Sequence, residues 1–426
     1  MNKVEIIKAN VTLYTYHLDN GLDIYMIPKD NVKNYYLTLN TKYGSINTNF
    51  KFNGKEYSQP KGIAHYLEHL MFYMPDGDAA LYFAKLGSSA NAYTTNTVTC
   101  YEVFANSKFK DNLSYLIKFV YTPYFTKELV NNERDIIHEE IKMYEDDAST
   151  EIFHGLYQNL FINDERRYLI AGNTDDIKDI KLDDIEIAYN AFYHPQNMFM
   201  VLTGNFNPEE AVAIIEDAMK SFDFPDYKEP VLIEDNEPFK INLENSEKSM
   251  FVNKTKAAVG VKIPKSNFKS LKLSNLELKI YLNLILKINF GVTSLINEEM
   301  KSNEIINDSI NIRVEEINDF FVVTFVGETD YPDYFINRIK ENFENIKVSD
   351  EELKRKVKCA ISDLIWIYDD IEISNVEMQE DIINYGMVIT DIYKIYKSLN
   401  GEVAAKIISK LNKVLFTSNI IKPNME

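Results

Sequence analysis

Apolar and polar residues alternate with a period of two over short stretches of the first third of the chain. Residues 12–16 and 35–40 show this pattern, which is typical of half-buried strands. Asn20 and Gly21 stand between two such runs and predict a hairpin turn, because both residues tolerate positive φ at low cost. The polar segment 54–61, which contains a proline, is interpreted as a loop. The pattern predicts that a sheet comes first.

The period changes after Gly62, where apolar residues begin to recur at helical spacing. Further along, residues 88–105 are rich in threonine, tyrosine and valine and predict a pair of strands. Residues 112–120 and 128–146 return to the helical period and predict two helices. Strands and helices are therefore mixed within the first half of the chain.

A change of composition marks the predicted domain boundary. Residues 198–203 predict a strand and 208–222 a helix, after which three prolines and many acidic residues interrupt all periodicity over 223–247. Few contacts are expected to run across such a segment, so we interpret it as a linker. The predicted domains are 1–222 and 248–426.

The second predicted domain also combines strands and helices, as the first does. Its predicted elements are strands at 257–263, 310–314 and 320–326 and helices at 276–289, 333–343 and 350–369. The predicted fold class is α+β, with two similar domains that each consist of a mostly antiparallel sheet packed with helices.

Charge narrows the range of partners. With 65 acidic and 46 basic residues, the chain has a formal net charge of −19. Such a chain is repelled by phosphate backbones and anionic membranes, so neither nucleic acid nor a membrane is an expected partner. Its start lacks the pattern of a secretory signal, and no run approaches the roughly eighteen apolar residues of a membrane span, so a cytoplasmic location is expected.

Cysteine usage restricts the metal chemistry. Cys100 and Cys359 are the only two cysteines, one in each half of the chain. They are too few for a disulfide framework or a thiolate zinc site. Any metal must therefore be held by nitrogen and oxygen atoms.

Candidate chemistry is concentrated in the five residues that start at His65 and have the pattern HxxEH. His65 and His69 lie one helical turn apart on the same face, where both can reach one tetrahedral zinc ion. Glu68 lies slightly off that line, which suits a general base that acts on a water molecule rather than a ligand. The alternative, a chance occurrence of the pattern, is made less plausible by the neighbouring segments described below.

A catalytic zinc ion needs a third protein ligand, and the best candidates lie on the helix predicted at 128–146. Glu133 and Glu140 are two turns apart on one face, whereas His138 and Glu139 point away from it. We assign Glu140 as the ligand and Glu133 as the residue that orients a ligating histidine. The spacing identifies this helix more firmly than it decides between the two glutamates.

Three segments together resemble the pitrilysin, insulin-degrading-enzyme and mitochondrial-processing-peptidase family, whose zinc motif is inverted. They are 62–72 around HxxEH, 87–101 with its Asn91-Ala92 pair, and 133–146. The resemblance covers the first 220 residues well and the rest weakly. It implies a metallohydrolase-like processing-peptidase fold of the two-domain bacterial type, and a catalytic subunit.

The resemblance also implies roles for individual residues. Peptide substrate would add as a strand to the sheet edge that contains Asn91 and Ala92, with little demand on its sequence. Short unfolded peptides are then the expected substrates. The implied zinc centre consists of the ligands His65, His69 and Glu140, the base Glu68 and the supporting Glu133.

The second half departs from the family pattern. Where self-sufficient members have a substrate-holding arginine and tyrosine, this sequence has Lys301 and Asp308. An ionised aspartate cannot donate a hydrogen bond, so this role is expected to be lost. We therefore hypothesise a heterodimer with a homologous subunit that lacks HxxEH and supplies the arginine and tyrosine.

The sequence thus predicts a zinc-dependent endopeptidase that cleaves short unfolded peptides as the catalytic subunit of that heterodimer, with precursor-peptide maturation as one role by analogy. The alternative is a non-catalytic structural or peptide-sensing subunit of the same fold. An intact HxxEH argues against it, since degenerate subunits usually lose that motif.

Overall fold

The computed structural model describes residues 1–424 of the chain. Over these residues the strands are β1 (Asn2–Ile6), β2 (Val11–His17), β3 (Asp23–Pro28), β4 (Tyr35–Thr41), β5 (Asn49–Phe52), β6 (Lys55–Ser58), β7 (Tyr73–Met74), β8 (Gly77–Asp78), β9 (Ser89–Thr94), β10 (Thr99–Ala105), β11 (Met198–Gly204), β12 (Val231–Leu232), β13 (Asn245–Met250), β14 (Lys256–Pro264), β15 (Asn311–Ile317), β16 (Phe320–Glu328) and β17 (Leu415–Pro423).

The α-helices of the same range are α1 (Ile63–Met71), α2 (Ala79–Leu86), α3 (Phe109–Val120), α4 (Lys127–Asp146), α5 (Ala148–Leu160), α6 (Thr174–Lys178), α7 (Leu182–Phe192), α8 (Pro208–Met219), α9 (Asn275–Phe290), α10 (Leu295–Ser302), α11 (Pro332–Glu344), α12 (Asp350–Asp369), α13 (Ile371–Tyr385), α14 (Ile392–Ser398) and α15 (Gly401–Ile408).

The chain forms two compact units. The first consists of Met1–Ile141, Leu169–Glu234 and Asp363–Tyr393. Its main sheet has seven strands in the order β1-β2-β3-β11-β4-β10-β9, in which only the β3–β11 pair is parallel. The central strands β4 and β11 are buried along their whole length, since α13 packs against both and α3 packs against β4 and β10. The edge of this sheet is β9.

Within the described residues, the second unit consists of Lys142–Tyr168, Asp235–Ser362 and 394–424. Its sheet has five strands in the order β13-β17-β14-β16-β15, and only the β13–β17 pair is parallel. Helix α5 lies on β14 and β17 and buries its apolar face in a core cluster that includes residues of β14, β16 and β17. Both units therefore have a mostly antiparallel sheet packed with helices, which confirms the predicted α+β class.

The division into units differs from the predicted boundaries 1–222, 223–247 and 248–426. Helix α5 comes from the first half of the chain but packs in the second unit, and α13 comes from the second half but packs in the first. Hydrophobic periodicity predicts the buried face of such a helix, but it does not say which sheet will cover that face. The two halves therefore exchange segments.

One local prediction was wrong. The segment 54–61 was interpreted as a loop, whereas β6 pairs with β5 in an antiparallel hairpin. Asn53 and Gly54 connect the two strands with φ of 50° and 79°. Positive φ at both central residues is the requirement of a type I′ turn, for which Asn-Gly is a strong signal.

One helical stretch among the described residues, Asn275–Ser302, is long and apolar enough to cross a membrane by length and composition alone. It is 28 residues long, and 61% of its most apolar window is buried inside the protein. The core helix of a folded domain has the same properties.

Candidate metal centre

Helix α1, which carries the HxxEH residues, is positioned by a close backbone contact at its N-terminus and by a hydrogen bond from its middle. Gly62 precedes the helix with φ 83°, and a Cβ there would lie 2.2 Å from the carbonyl oxygen of Ala171. Only glycine meets both conditions, because other residues rarely adopt this φ and have no space for a side chain. On α1 itself, the Tyr66 hydroxyl donates a hydrogen bond to the carbonyl oxygen of Val130 on α4. The two helices that carry the candidate ligands are thereby connected.

Three side chains from these helices converge. Nε2 of His65 lies 3.5 Å from Oε1 of Glu140, and Nε2 of His69 lies 3.2 Å from Oε2 of the same residue. One ligand atom from each of the three residues lies within 4.8 Å of the others. His65 is buried, whereas His69 and Glu140 are partly exposed, so the cluster is open on one side.

This arrangement fits a zinc ion. Ligands at the usual zinc distances lie about 3.3 Å apart when the geometry is tetrahedral, which agrees with the two nitrogen–oxygen distances. Two imidazoles and one carboxylate are also the donor set of many catalytic zinc sites, which keep a fourth position open. The residues present therefore fit the metal that the sequence predicted.

A hydrogen-bond relay fixes the orientation of His69. Its Nδ1 lies 2.8 Å from Oε1 of Glu133, whose other oxygen accepts a 2.6 Å hydrogen bond from the hydroxyl of Tyr73. A proton held on Nδ1 by Glu133 leaves Nε2 free to face the metal position. Burial alone would lower the pKa of His69, but its hydrogen bonds with Glu133 and Glu140 raise it to about 10. The carboxylates of Glu133 and Glu140 therefore stabilise positive charge at His69.

Glu68 lies beside the cluster in a buried position. Its Oε2 accepts a 2.6 Å hydrogen bond from the hydroxyl of Thr94 on β9. Burial raises the pKa of Glu68, although His65 and the Thr94 hydroxyl act in the opposite direction. A carboxylate with a raised pKa accepts a proton more readily, which is the requirement for a general base.

The strand next to Glu68 is the sheet edge where the sequence predicted peptide binding. Asn91 and Ala92 lie on β9, paired on one side with Glu102 and Tyr101 of β10. Over residues 1–424 no other strand of the main sheet pairs with β9. Its outer backbone groups therefore have the geometry to accept an added strand.

The remaining predicted positions lie apart from the cluster. His138 and Glu139 do not belong to the converging set of ligand atoms, and they are half-buried and exposed, respectively. The two nitrogens of His194 contact backbone atoms of Gln196 and Pro225, in agreement with a structural role.

Sequence reasoning missed two residues of the site, Tyr73 and Thr94. Tyr73 lies just after α1 with no motif around it, and only the fold brings its hydroxyl to Glu133. Thr94 is the last residue of β9, an edge strand next to α1. The sequence did contain a signal for Thr94, because alternation along such a strand places every second side chain toward the helix.

Replacing Glu133 by glutamine is expected to weaken zinc binding by about 10–100-fold, as is typical when a partner of a ligating histidine is changed. Glutamine keeps the shape but removes the charge that holds the proton on Nδ1 of His69. Zinc affinity, measured by competition with a chromophoric chelator, is the readout. In Tyr73→Phe the carboxylate stays, so a smaller loss is expected; equal affinity of Glu133→Gln and the wild type would contradict the relay.

An HxxEH metal centre within a two-unit α+β chain defines a class of metal-dependent hydrolases, and the comparisons with known proteins specify the family. Residues 53–173 match the family described as Insulinase (Peptidase family M16), and residues 179–358 match the Peptidase M16 inactive domain. A Bacillus subtilis relative named "Uncharacterized zinc protease YmfH" is 33% identical over 363 residues, which are 84% of each chain. The chain belongs to peptidase family M16, and zinc is its implied cofactor.

Solved structures show the same fold. A putative M16-like peptidase from Alicyclobacillus acidocaldarius superposes with a TM-score of 0.89 at 23% identity, over 97% of this chain and 99% of that one. The periplasmic protease PqqL from Escherichia coli gives a TM-score of 0.73 at 19% identity, over 100% of this chain but 48% of the longer one. This chain thus corresponds in fold to about half of that protein.

Proposed function

We propose that the protein is a zinc-dependent endopeptidase that cleaves short unfolded peptides as the catalytic subunit of a heterodimer. The observation that carries the proposal is the convergence of His65, His69 and Glu140 beside the buried carboxylate of Glu68. A metal-storage or structural site would need the three ligands but no such carboxylate.

The side chains of the site account for the proton transfers of peptide hydrolysis. When bound, zinc supplies Lewis-acid polarisation of a carbonyl oxygen and acidification of water. Glu68 takes the proton of the attacking water and returns it to the amine nitrogen as the peptide bond breaks. Thr94 holds the Glu68 carboxylate toward β9, and Glu133 holds His69 in one orientation.

Substrate recognition is proposed to use the backbone. A peptide that lies along β9 next to Asn91 and Ala92 gains main-chain hydrogen bonds whatever its sequence. An unfolded segment offers free backbone groups along its whole length, so short unfolded peptides are the proposed substrates.

Pairing with a homologous subunit is supported by two observations. Lys301 and Asp308, which replace the arginine and tyrosine of self-sufficient family members, are both exposed. The chain also matches about half of the longer PqqL chain. We propose that a subunit without HxxEH supplies the missing pair, that the heterodimer works in the cytoplasm, and that maturation of precursor peptides is among its roles.

The test is zinc content together with cleavage of a quenched fluorescent peptide, for the purified chain alone and mixed with a homologous subunit that lacks HxxEH. We expect cleavage by the mixture only. This activity should be lost when zinc is chelated and restored when zinc is added. Full-rate cleavage by the chain alone would overturn the heterodimer, and bound zinc without cleavage of any peptide would favour a non-catalytic or peptide-sensing subunit.

The pH dependence of cleavage reports on the hydrogen bond between Thr94 and Glu68. The Thr94 hydroxyl stabilises the charged carboxylate, so Thr94→Val should raise the pKa of Glu68 further. The base is then deprotonated only at higher pH, and the acid limb of kcat/KM should move upward by about 1–2 pH units, if the hydrogen bond contributes about 1.5–3 kcal/mol. Zinc content is measured at each pH. An unchanged limb in Thr94→Val, or the same shift in the control Thr97→Val, would contradict this role.

A further inference from the structure

A group of large apolar side chains is exposed where α12 ends and α13 begins. On the last turns of α12, Ile365 and Trp366 have exposed fractions of 39% and 74%. On the first turns of α13, Ile373 and Val376 are 50% and 38% exposed. Asp370 is the single residue between the two helices and caps α13 through its side chain. We call these four apolar residues, with the acidic residues around them, the α12–α13 corner.

These four side chains are not part of the core cluster that α12 and α13 form with the first sheet. The opposite side of each helix supplies the packing, with Leu364 and Tyr368 of α12 and Met378 and Ile382 of α13 in one core cluster. Trp366 lies two residues from Leu364 and so on the other side of α12. Exposed apolar groups of this kind are characteristic of interaction sites.

The same surface is strongly acidic. Between residues 363 and 381 the chain has seven acidic residues and no lysine or arginine. Asp369, Glu372 and Glu380 are exposed beside the apolar residues. Burial and the neighbouring carboxylates of Asp370 and Glu102 raise the pKa of Glu372, as expected where negative charges are crowded. Acidic side chains therefore form a rim beside the exposed apolar ones, and the ammonium of the nearby Lys29 is buried against the carbonyl oxygens of Tyr368 and Asp369.

We propose that the α12–α13 corner is the docking surface for a partner protein whose contact face is apolar with a basic rim. A second copy of this chain would place one acidic rim against another, and opposed like charges disfavour such a contact. Tryptophan in an apolar centre is also the residue most often found at the energetic centre of interfaces. The inference rests on the proposed heterodimer and assigns it a contact surface of stated charge.

Trp366 is the only tryptophan in the chain, so its fluorescence reports on this surface alone. The full chain is titrated with an amphipathic helical peptide of leucine and lysine, and separately with one of leucine and glutamate. We expect a blue shift of the emission and loss of acrylamide quenching with the lysine peptide only, weakened at about 0.5 M salt, where charges are screened. Glu372→Lys should weaken binding by about five-fold, as a reversed surface charge does.

The matched control is Glu209→Lys, which reverses an exposed charge at the start of α8 and should leave the titration unchanged. Equal responses to both peptides, or an effect of Glu209→Lys as large as that of Glu372→Lys, would overturn the proposal. A blue shift that grows with the concentration of the chain itself would also overturn it, since a second copy would then cover the corner. The fluorescence titration needs neither zinc nor cleavage. A negative titration therefore does not contradict the proposed peptidase activity, and a chain without peptidase activity can still bind the lysine peptide.

Discussion

Replacement of Glu68 by glutamine is expected to lower peptide cleavage by about 10²–10⁴-fold while zinc stays bound, since a positioned general base contributes about that much. The amide has nearly the shape of the carboxylate and can still accept the hydrogen bond of Thr94. It cannot accept and return a proton, however. Glu68 is also outside the set of converging ligand atoms, so the affinity for zinc should change little. Cleavage of a quenched peptide and zinc content, measured on the same sample, separate the two effects.

The matched control is Glu145→Gln, which makes the same chemical change at an exposed position of α4. It should keep full activity. If Glu68→Gln lost its zinc together with its activity, the carboxylate would be needed for the metal and not for proton transfer. Unchanged cleavage would show that another group acts as the base.

The second large effect is expected from a buried ion pair in the second unit. Nζ of Lys262 lies 2.5 Å from Oε1 of Glu237, and both side chains are almost completely buried. Carbonyl oxygens of Leu160, Pro238 and Lys240 also accept hydrogen bonds from Lys262. Glu237 in turn accepts hydrogen bonds from the backbone amides of residues 162–164. The pair therefore joins β14, the end of α5 and the segment between the two halves of the chain.

Lys262→Met should destabilise the second unit by about 3–5 kcal/mol, because it leaves the charge of Glu237 buried without its partner. Amide hydrogen exchange is the suitable measurement, since it resolves one unit of a chain that need not unfold in a single step. Protection of the amides of β14 and β16 should fall by about 10²–10⁴-fold, while β4 and β11 of the first unit keep theirs.

Two variants test the cause. Removing both charges with Lys262→Met and Glu237→Gln together should restore part of the lost protection, since no unpaired charge remains. Lys406→Met breaks an exposed pair with Glu402, which solvent screens, and should leave the protection of β14 and β16 unchanged. A loss in Lys262→Met equal to that in Lys406→Met would mean that water reaches the Glu237 carboxylate.

The elements that the sequence predicted well are those whose signal is local. The periodicity of β4, α4 and β14 lies within each segment, and the structure has these elements close to the predicted positions. The exchange of α5 and α13 could not be predicted in this way. Ile152 and Leu156 define the buried face of α5, but nothing in their spacing shows that the covering sheet is formed by residues about ninety or more positions later.

The candidate site shows the same limit. His65, Glu68 and His69 lie within one helical turn, so their relation could be derived from the sequence alone. The choice of Glu140 over Glu133 rested partly on resemblance. In the structure Glu140 faces Nε2 of both histidines, whereas Glu133 contacts only Nδ1 of His69. Tyr73 and Thr94 belong to the site through hydrogen bonds that tertiary structure alone creates.

The exchanged segments have a consequence for how the protein is made. The first sheet lacks its covering helix α13 until residues 371–385 have been synthesised, although its last strand, β11, is complete at residue 204. A nascent chain on the ribosome must therefore carry one face of β4 and β11 uncovered while some 170 further residues emerge. The polar residues of that face, Thr38 and Asn40, bind waters in the meantime and later hydrogen-bond within the sheet, where Thr38 also contacts Asn375 of α13. Phe199 and Val201 of the same face later pack with Met378 and Ile382 of α13, so apolar as well as polar side chains stay uncovered during the delay.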